Sequence, residues 1–295
     1  MPNRSPYASL LDSVPRERRE LGLLGGTTRY WVYGPVDATT TILAVHGFRG
    51  DHHGLEPIVA QLPDIRIISP DLPGFGESTP LGEGAHDIPG YRAWLAALVD
   101  RLGLGSDFVL LGHSFGSIVA SAAMADGLPA SKLVLVNPIA APALAGPRGV
   151  LTRMAVLYYR LGAVLPERLG FGLLRNRLIV RGMSVAMAKT RDASLRRWIH
   201  AEHDRYFSGF ADRRTVLEAF RASVGSDVSH FAADIRVPTL LVAADRDDIT
   251  DVAAQHRLAA RFADARLVVL PDVGHLIHYE KPAEAAEAIR GFLAS

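Results

Sequence analysis

The 295-residue chain contains no cysteine. Disulfide frameworks, Cys-ligated zinc, iron–sulfur clusters and thiol catalysis are therefore excluded. Lysine is scarce too: of the 32 basic residues only Lys132, Lys189 and Lys281 are lysine. Such a bias can follow from the base composition of a genome, so arginine number alone carries no functional weight. The net charge is only +1 at pH 7, which argues against the whole chain being a polyelectrolyte partner of nucleic acid. Long apolar runs are missing as well. The most apolar stretch, Leu133 to Ala145, is interrupted by Asn137, Pro138 and Pro142 and is too short to span a bilayer. The opening MPNRSPYASLLDSVPRERRELG lacks the apolar run of a secretory leader. The expectation is a cytoplasmic protein with no membrane span.

What is present is ordinary globular material, 48% hydrophobic and 21% charged. The length suits one large domain, or a core with one insertion. Short apolar runs at Arg29–Tyr33, Thr41–Val45, Ile65–Ser69, Phe108–Leu111, Leu133–Val136, Thr239–Ala243 and Ala265–Leu270 read as strands. Several are apolar almost throughout, as strands covered on both faces are. Between them Tyr91–Leu102, Phe115–Asp126, Val252–Phe262 and Ala283–Leu293 carry helical spacing. This alternation predicts a mainly parallel α/β sheet. It lapses between Ile139 and Asp234, where the pattern is of amphipathic helices broken by Gly149, Gly162, Pro166, Gly170, Gly182 and Gly209. The expected division is a core of 1–138 and 235–295 with an inserted helical cap at 139–234.

The strongest local signal is Gly112-His113-Ser114-Phe115-Gly116, between a strand and a helix. A G-x-S-x-G run in that context is a nucleophile elbow, in which a strained turn lifts the serine and the following helix N-terminus faces developing negative charge. Serine needs a base, and the base needs an orienting acid. His275, after the strand Ala265–Leu270, is the candidate base, with His278 as the neighbouring rival. Of the four carboxylates Asp245, Asp247, Asp248 and Asp251 that follow Thr239–Ala243, Asp247 is the first choice and Asp245 the second. His46-Gly47-Phe48-Arg49-Gly50, leaving another strand, could place the Phe48 N–H beside that of Phe115 as an oxyanion hole.

With these pieces in order the chain resembles an α/β-hydrolase-fold protein over nearly its whole length. The matching residues are His46-Gly47-Phe48, Asp71-Leu72-Pro73-Gly74-Phe75-Gly76-Glu77-Ser78, the elbow, Asp247, and Gly274-His275 followed by Glu280-Lys281-Pro282. The resemblance implies Ser114 as nucleophile, Asp247 as acid, His275 as base, and Phe48 and Phe115 as backbone donors. It also places a helical cap between the sixth and seventh strands. The elbow serine is unlike the aspartate of haloalkane dehalogenases and epoxide hydrolases, and Phe48 is unlike the His-Gly-Gly-Pro run of proline iminopeptidases. His113 stands where carbon–carbon bond hydrolases of aromatic degradation have asparagine. Gly116-Ser117-Ile118 lacks the arginine of the menaquinone-pathway synthase. Asn137 removes the family's alternative acid position.

The expected activity is cleavage of a carboxylic ester or related acyl compound by a serine hydrolase, with no cofactor and no metal. His52 and His53, with Asp51 and Glu56, invite a metal reading that this chemistry does not need. The alternatives are a lyase or carbon–carbon bond hydrolase using the same three residues, or a ligand-binding protein on the same fold. Between residues 140 and 234 fifteen Arg/Lys stand against eight Asp/Glu, a net of +7 that leaves the core at −6. This charge can belong to solvated helix faces, or it can attract an anionic substrate or an anionic membrane surface. Met154, Leu157, Tyr158, Tyr159, Met183, Met187, Trp198, Tyr206, Phe207 and Phe210 are expected to form the cap's own core and part of an acyl pocket.

Overall fold

A computed structural model of the chain describes residues 5–142 and 149–295. Residues 1–4 and 143–148, Arg148 of the basic segment among them, lie outside the described residues. Eight strands form one sheet: β1 (Arg16–Leu23), β2 (Gly26–Tyr33), β3 (Thr41–Val45), β4 (Arg66–Pro70), β5 (Val109–His113), β6 (Lys132–Val136), β7 (Thr239–Ala244) and β8 (Ala265–Leu270). Their order is β1-β2-β4-β3-β5-β6-β7-β8. The β1–β2 and β2–β4 pairs are antiparallel, and every pair from β4 to β8 is parallel.

The apolar strands behave as two-sided core. Leu43 and Val45 of β3 face one apolar layer with the helices Ile88–Leu102 and Phe115–Ala125. Ile42 and Ala44 face the other, with Ile58 and Val59 of the helix Glu56–Val59 and Ile289 and Phe292 of the helix Pro282–Leu293. Side chains alternate across a strand, so only an unbroken apolar run can serve both layers. The expected strands and helices are present, most of them longer or shifted by a residue or a few at their ends.

β1 was not expected. Its sequence, RERRELGL, is exposed along most of its length, so it has no apolar alternation to reveal it. It exists because it pairs in full register with β2, from Arg16↔Tyr33 to Leu23↔Gly26. A charged edge of this kind also discourages pairing with another chain.

Between β6 and β7 lie the helices Gly149–Val164, Glu167–Leu174, Arg177–Met187, Ala193–Tyr206 and Arg213–Gly225. No strand occurs there among the described residues. Three of the supposed breakers are corrected: Gly162, Gly170 and Gly182 lie inside helices. For two of them the reason is close approach. A Cβ on Gly170 would lie 2.3 Å from the carbonyl oxygen of Gly162, so these glycines let two helices touch. Among the described residues no helix is long and apolar enough to cross a membrane.

Candidate active site

Ser114 sits at the β5–helix turn with φ 52° and ψ −118°, a left-handed conformation that costs a non-glycine residue of order 1–3 kcal/mol. Close packing enforces the turn. A Cβ on Gly116 would lie 2.2 Å from the carbonyl oxygen of Val45, so only glycine lets the elbow press against the end of β3. The Ser114 N–H is tied to Val136 O at 3.0 Å. Ser114 Oγ lies 2.7 Å from His275 Nε2, and His275 Nδ1 lies 2.8 Å from Asp247 Oδ2. Three residues from the ends of β5, β7 and β8 thus form one hydrogen-bonded line.

The two loops are held in register by their backbones. Asp245 N–H donates to Leu270 O and Arg246 N–H to Val273 O, each at 3.0 Å, which extends the β7–β8 pairing up to the site. Asp247 Oδ1 accepts from Ile249 N–H at 2.8 Å. Asn137 Nδ2 donates to Asp247 Oδ2 at 3.2 Å. The residue that the sequence marked only as a missing acid therefore braces the Asp247 carboxylate. Burial alone would raise the Asp247 pKa. The charge and hydrogen bond of His275 and the N–H groups of Ile249 and Thr250 outweigh it, and the carboxyl lies below its usual range. Asp245 does a different job: its Oδ1 accepts from Val273 N–H at 3.2 Å. His278 is buried as the second residue of the short helix Ile277–Glu280, its ring 4.1 Å from that of His113. It does not reach Ser114 in the hydrogen-bonded line.

Phe48 follows β3 in a tight turn closed by Gly50 N–H donating to Gly47 O at 3.1 Å. A Cβ on Gly47 would lie 3.2 Å from Ser114 Cβ, so glycine there allows the loop to close on the elbow. Leu72 N–H donates to His46 Nε2 at 2.9 Å, which puts the ring proton on Nδ1, facing Gly47 O at 2.8 Å. Phe115 begins its helix, where the first N–H groups have no intrahelical acceptor. The turn that carries Phe48 and the elbow that carries Phe115 thus lie side by side.

Sequence reasoning missed Arg49. It occupies the third position of that turn at φ 61°, yet its side chain is only 1% exposed. Its Nε donates to Phe207 O at 2.9 Å, Nη1 to the Tyr159 hydroxyl at 3.0 Å and Nη2 to Leu174 O at 2.8 Å. Its guanidinium also lies over the Phe207 and Phe210 rings, at 4.9 and 5.1 Å. All of these partners belong to the helical segment between β6 and β7. The only signal was a bulky cation where a turn favours glycine.

A cavity of about 640 Å³ opens above Ser114 and His275. Its walls are mainly apolar, from Phe48 and Leu276 on the sheet side to Tyr158, Ile179, Met183 and Met187 of the helical segment. Met154 and Phe207 line it too, whereas Leu157 is 56% exposed. No arginine or lysine lines it among the described residues. His113 and His203 also face it. Burial, joined by the charges of neighbouring histidines and of Arg181 near His203, pushes both down to about 3, so they are neutral around pH 7.

Asp51, His52 and His53 bring possible ligand atoms within 4.8 Å of one another. These atoms are already in use: His52 Nδ1 lies 2.9 Å from Asp71 Oδ1, and Asp51 Oδ1 accepts from His53 N–H at 3.0 Å. Nearby, burial raises the Glu202 pKa from 4.5 to about 7. An acid that holds its proton more tightly when folded stabilises the fold below its unfolded pKa, and that stability is lost as pH rises towards 7. Glu202→Gln should therefore match the parent near pH 4 and exceed it at pH 8 by at most roughly 3 kcal/mol. Urea unfolding at the two pH values measures it, and an equal change at both would refute the assignment.

The chain belongs to the alpha/beta hydrolase family, which residues 42–288 match. Among curated relatives it is 23% identical over 281 residues to Lipase 1 of Psychrobacter immobilis, covering 94% of this chain and 84% of that protein. It is 27% identical over 269 residues to the pimeloyl-[acyl-carrier protein] methyl ester esterase of Aromatoleum aromaticum, covering 84% of this chain and 96% of the relative. In structure it is similar to a thermophilic esterase from Thermogutta terrifontis, with a TM-score of 0.73 and 24% identity over 94% of this chain and 98% of that one. At that identity the last likeness establishes the fold alone.

Proposed function

We propose that the protein is a serine hydrolase that cleaves a carboxylic ester through an acyl-enzyme intermediate. The carrying observation is the Ser114–His275–Asp247 hydrogen-bonded line at the floor of a mainly apolar cavity. Ser114 Oγ attacks the ester carbonyl while His275 Nε2 takes its proton, and Asp247 holds the imidazole in the tautomer that leaves Nε2 free to accept. The N–H groups of Phe48 and Phe115 receive the oxyanion. The alkoxide leaves with the proton returned by His275, and water repeats the sequence in reverse roles to free the acid. This route needs only water as co-substrate.

Residues 139–234 serve as a cap over the core of 1–138 and 235–295, and the cavity between them seats the acyl chain. The esterase and lipase names among the relatives support this reading. Any attraction that the segment's positive charge exerts on anionic substrates would act on approach, since no arginine or lysine lines the cavity among the described residues. A neutral p-nitrophenyl ester series tests the acyl seat. Each added methylene buried in the cavity should raise kcat/KM about fourfold until the cavity is filled. A flat series would remove the cavity from the reading. Turnover of a vinylogous diketone and of no ester would replace it with carbon–carbon cleavage, and no turnover at all with a binding protein.

A further inference from the structure

Of the ten large apolar side chains that are exposed among the described residues, seven lie between residues 149 and 187. Met154, Leu157, Leu161 and Val164 recur at steps of three and four along the helix Gly149–Val164, and so share one face. They are 62, 56, 44 and 71% exposed. Leu169 on the next helix is 63% exposed. Leu178 and Val185, seven residues apart on the helix Arg177–Met187, are 83 and 58% exposed. A surface normally scatters such residues singly, and their concentration marks an interaction face.

The same stretch has six arginines, Arg153, Arg160, Arg168, Arg175, Arg177 and Arg181, against the single acid Glu167. All six are exposed, and Glu167 is engaged by Arg213 at 2.5 Å. Among the described residues Arg153, Arg160, Arg168 and Arg177 form no ion pair. The face adjoins the cavity: Met154 belongs to both, and Ile179, Gly182, Met183 and Ala186 line the cavity from the same helix that exposes Leu178 and Val185.

We propose that this face docks on the surface of an anionic phospholipid bilayer, with its leucines and valines among the acyl chains and its arginines at the headgroups. Charge chooses the occupant. A second copy of the chain in a two-fold dimer would press the same basic patch against itself. An anionic lipid surface offers apolar depth and negative charge together, and arginine can lay its stem in the first while its head meets the second. Docking of this kind would set the cavity mouth at the lipid boundary.

The test is sedimentation with vesicles of phosphatidylcholine alone and of phosphatidylcholine mixed with phosphatidylglycerol, which reads binding without any turnover. Expected is binding to the mixed vesicles, weakened by high salt, and little to the neutral ones. The combined substitutions Leu161→Ser, Val164→Ser and Leu178→Ser, none in the cavity wall, should weaken partitioning at least roughly tenfold. Arg160→Gln and Arg177→Gln should each weaken it about fivefold. Circular dichroism and unchanged thermal unfolding establish that the variants are folded. Equal binding to both vesicle types, or full binding by the folded triple variant, overturns the proposal. So does absent vesicle binding together with a dimer that the triple variant abolishes, which would make the face self-associating.

Discussion

Ser114→Ala should lower kcat for a p-nitrophenyl ester by roughly 10³-fold or more and leave the fold intact. The nucleophile is the one group whose loss no neighbour can replace. The buried Ser121 hydroxyl has no hydrogen-bond partner, and no base to activate it, among the described residues, and Ser117 bonds back to Ser114 O at 2.5 Å. A fluorophosphonate should add a single adduct to the parent, mapping to Ser114, and none to the variant. An adduct on another residue, or activity retained in the alanine variant, would end the acyl-enzyme mechanism. Melting curves of the two proteins should agree closely, since alanine keeps the Cβ and with it the same strained turn.

A drop of about 10⁴-fold is expected for Asp247→Asn, the size that a wrong histidine tautomer produces in related chemistry. The amide would offer an N–H to His275 Nδ1 or force its proton to Nε2, where it would face Ser114 Oγ. It would also lose the charge that Asn137 and the Ile249 N–H now balance. Asp245→Asn is the control. Its remaining carbonyl oxygen can still accept from Val273 N–H, so the loop should stand and activity should stay near the parent value. The opposite ranking would mean that His275 takes its orientation from the strand-end carboxylate two residues earlier.

Much of this site was legible because its constraints are local. The elbow demands small residues on both sides of Ser114, and the clash that a Cβ on Gly116 would make with Val45 O is the physical form of that demand. Chain order did the rest for His275 and Asp247, since each follows an apolar strand run. What escaped has no local signature. β1 is a strand only because β2 offers a paired edge, and its charges follow neither period. Gly162 and Gly170 look like interruptions until the two helices are seen to meet there. Asn137 looked like an absence, because its value lies in a carboxylate 110 residues away. Exposure of the apolar face between 149 and 187 was equally invisible, since a leucine at helical spacing reads the same whether it faces protein or solvent.

The buried guanidinium of Arg49 constrains how the cavity can open. It is satisfied by neutral oxygens alone, Phe207 O, Leu174 O and the Tyr159 and Ser208 hydroxyls, all borne by the helical segment proposed as a roof, while its own backbone forms the floor turn beside Phe48. A hinged roof that lifted clear would strip a cation of every one of these acceptors at once, a costly event for a group so deeply placed. Admission of substrate must therefore leave that peg seated. The helices that bear these oxygens, Gly149–Val164, Glu167–Leu174 and the end of Ala193–Tyr206, act as fixed masonry, and clearance has to come from Arg177–Met187, which holds none of the Arg49 acceptors. The peg also ties the pose of the floor turn to the pose of the roof, so a foreign roof grafted onto this floor would arrive without the oxygens that keep the Phe48 N–H in place.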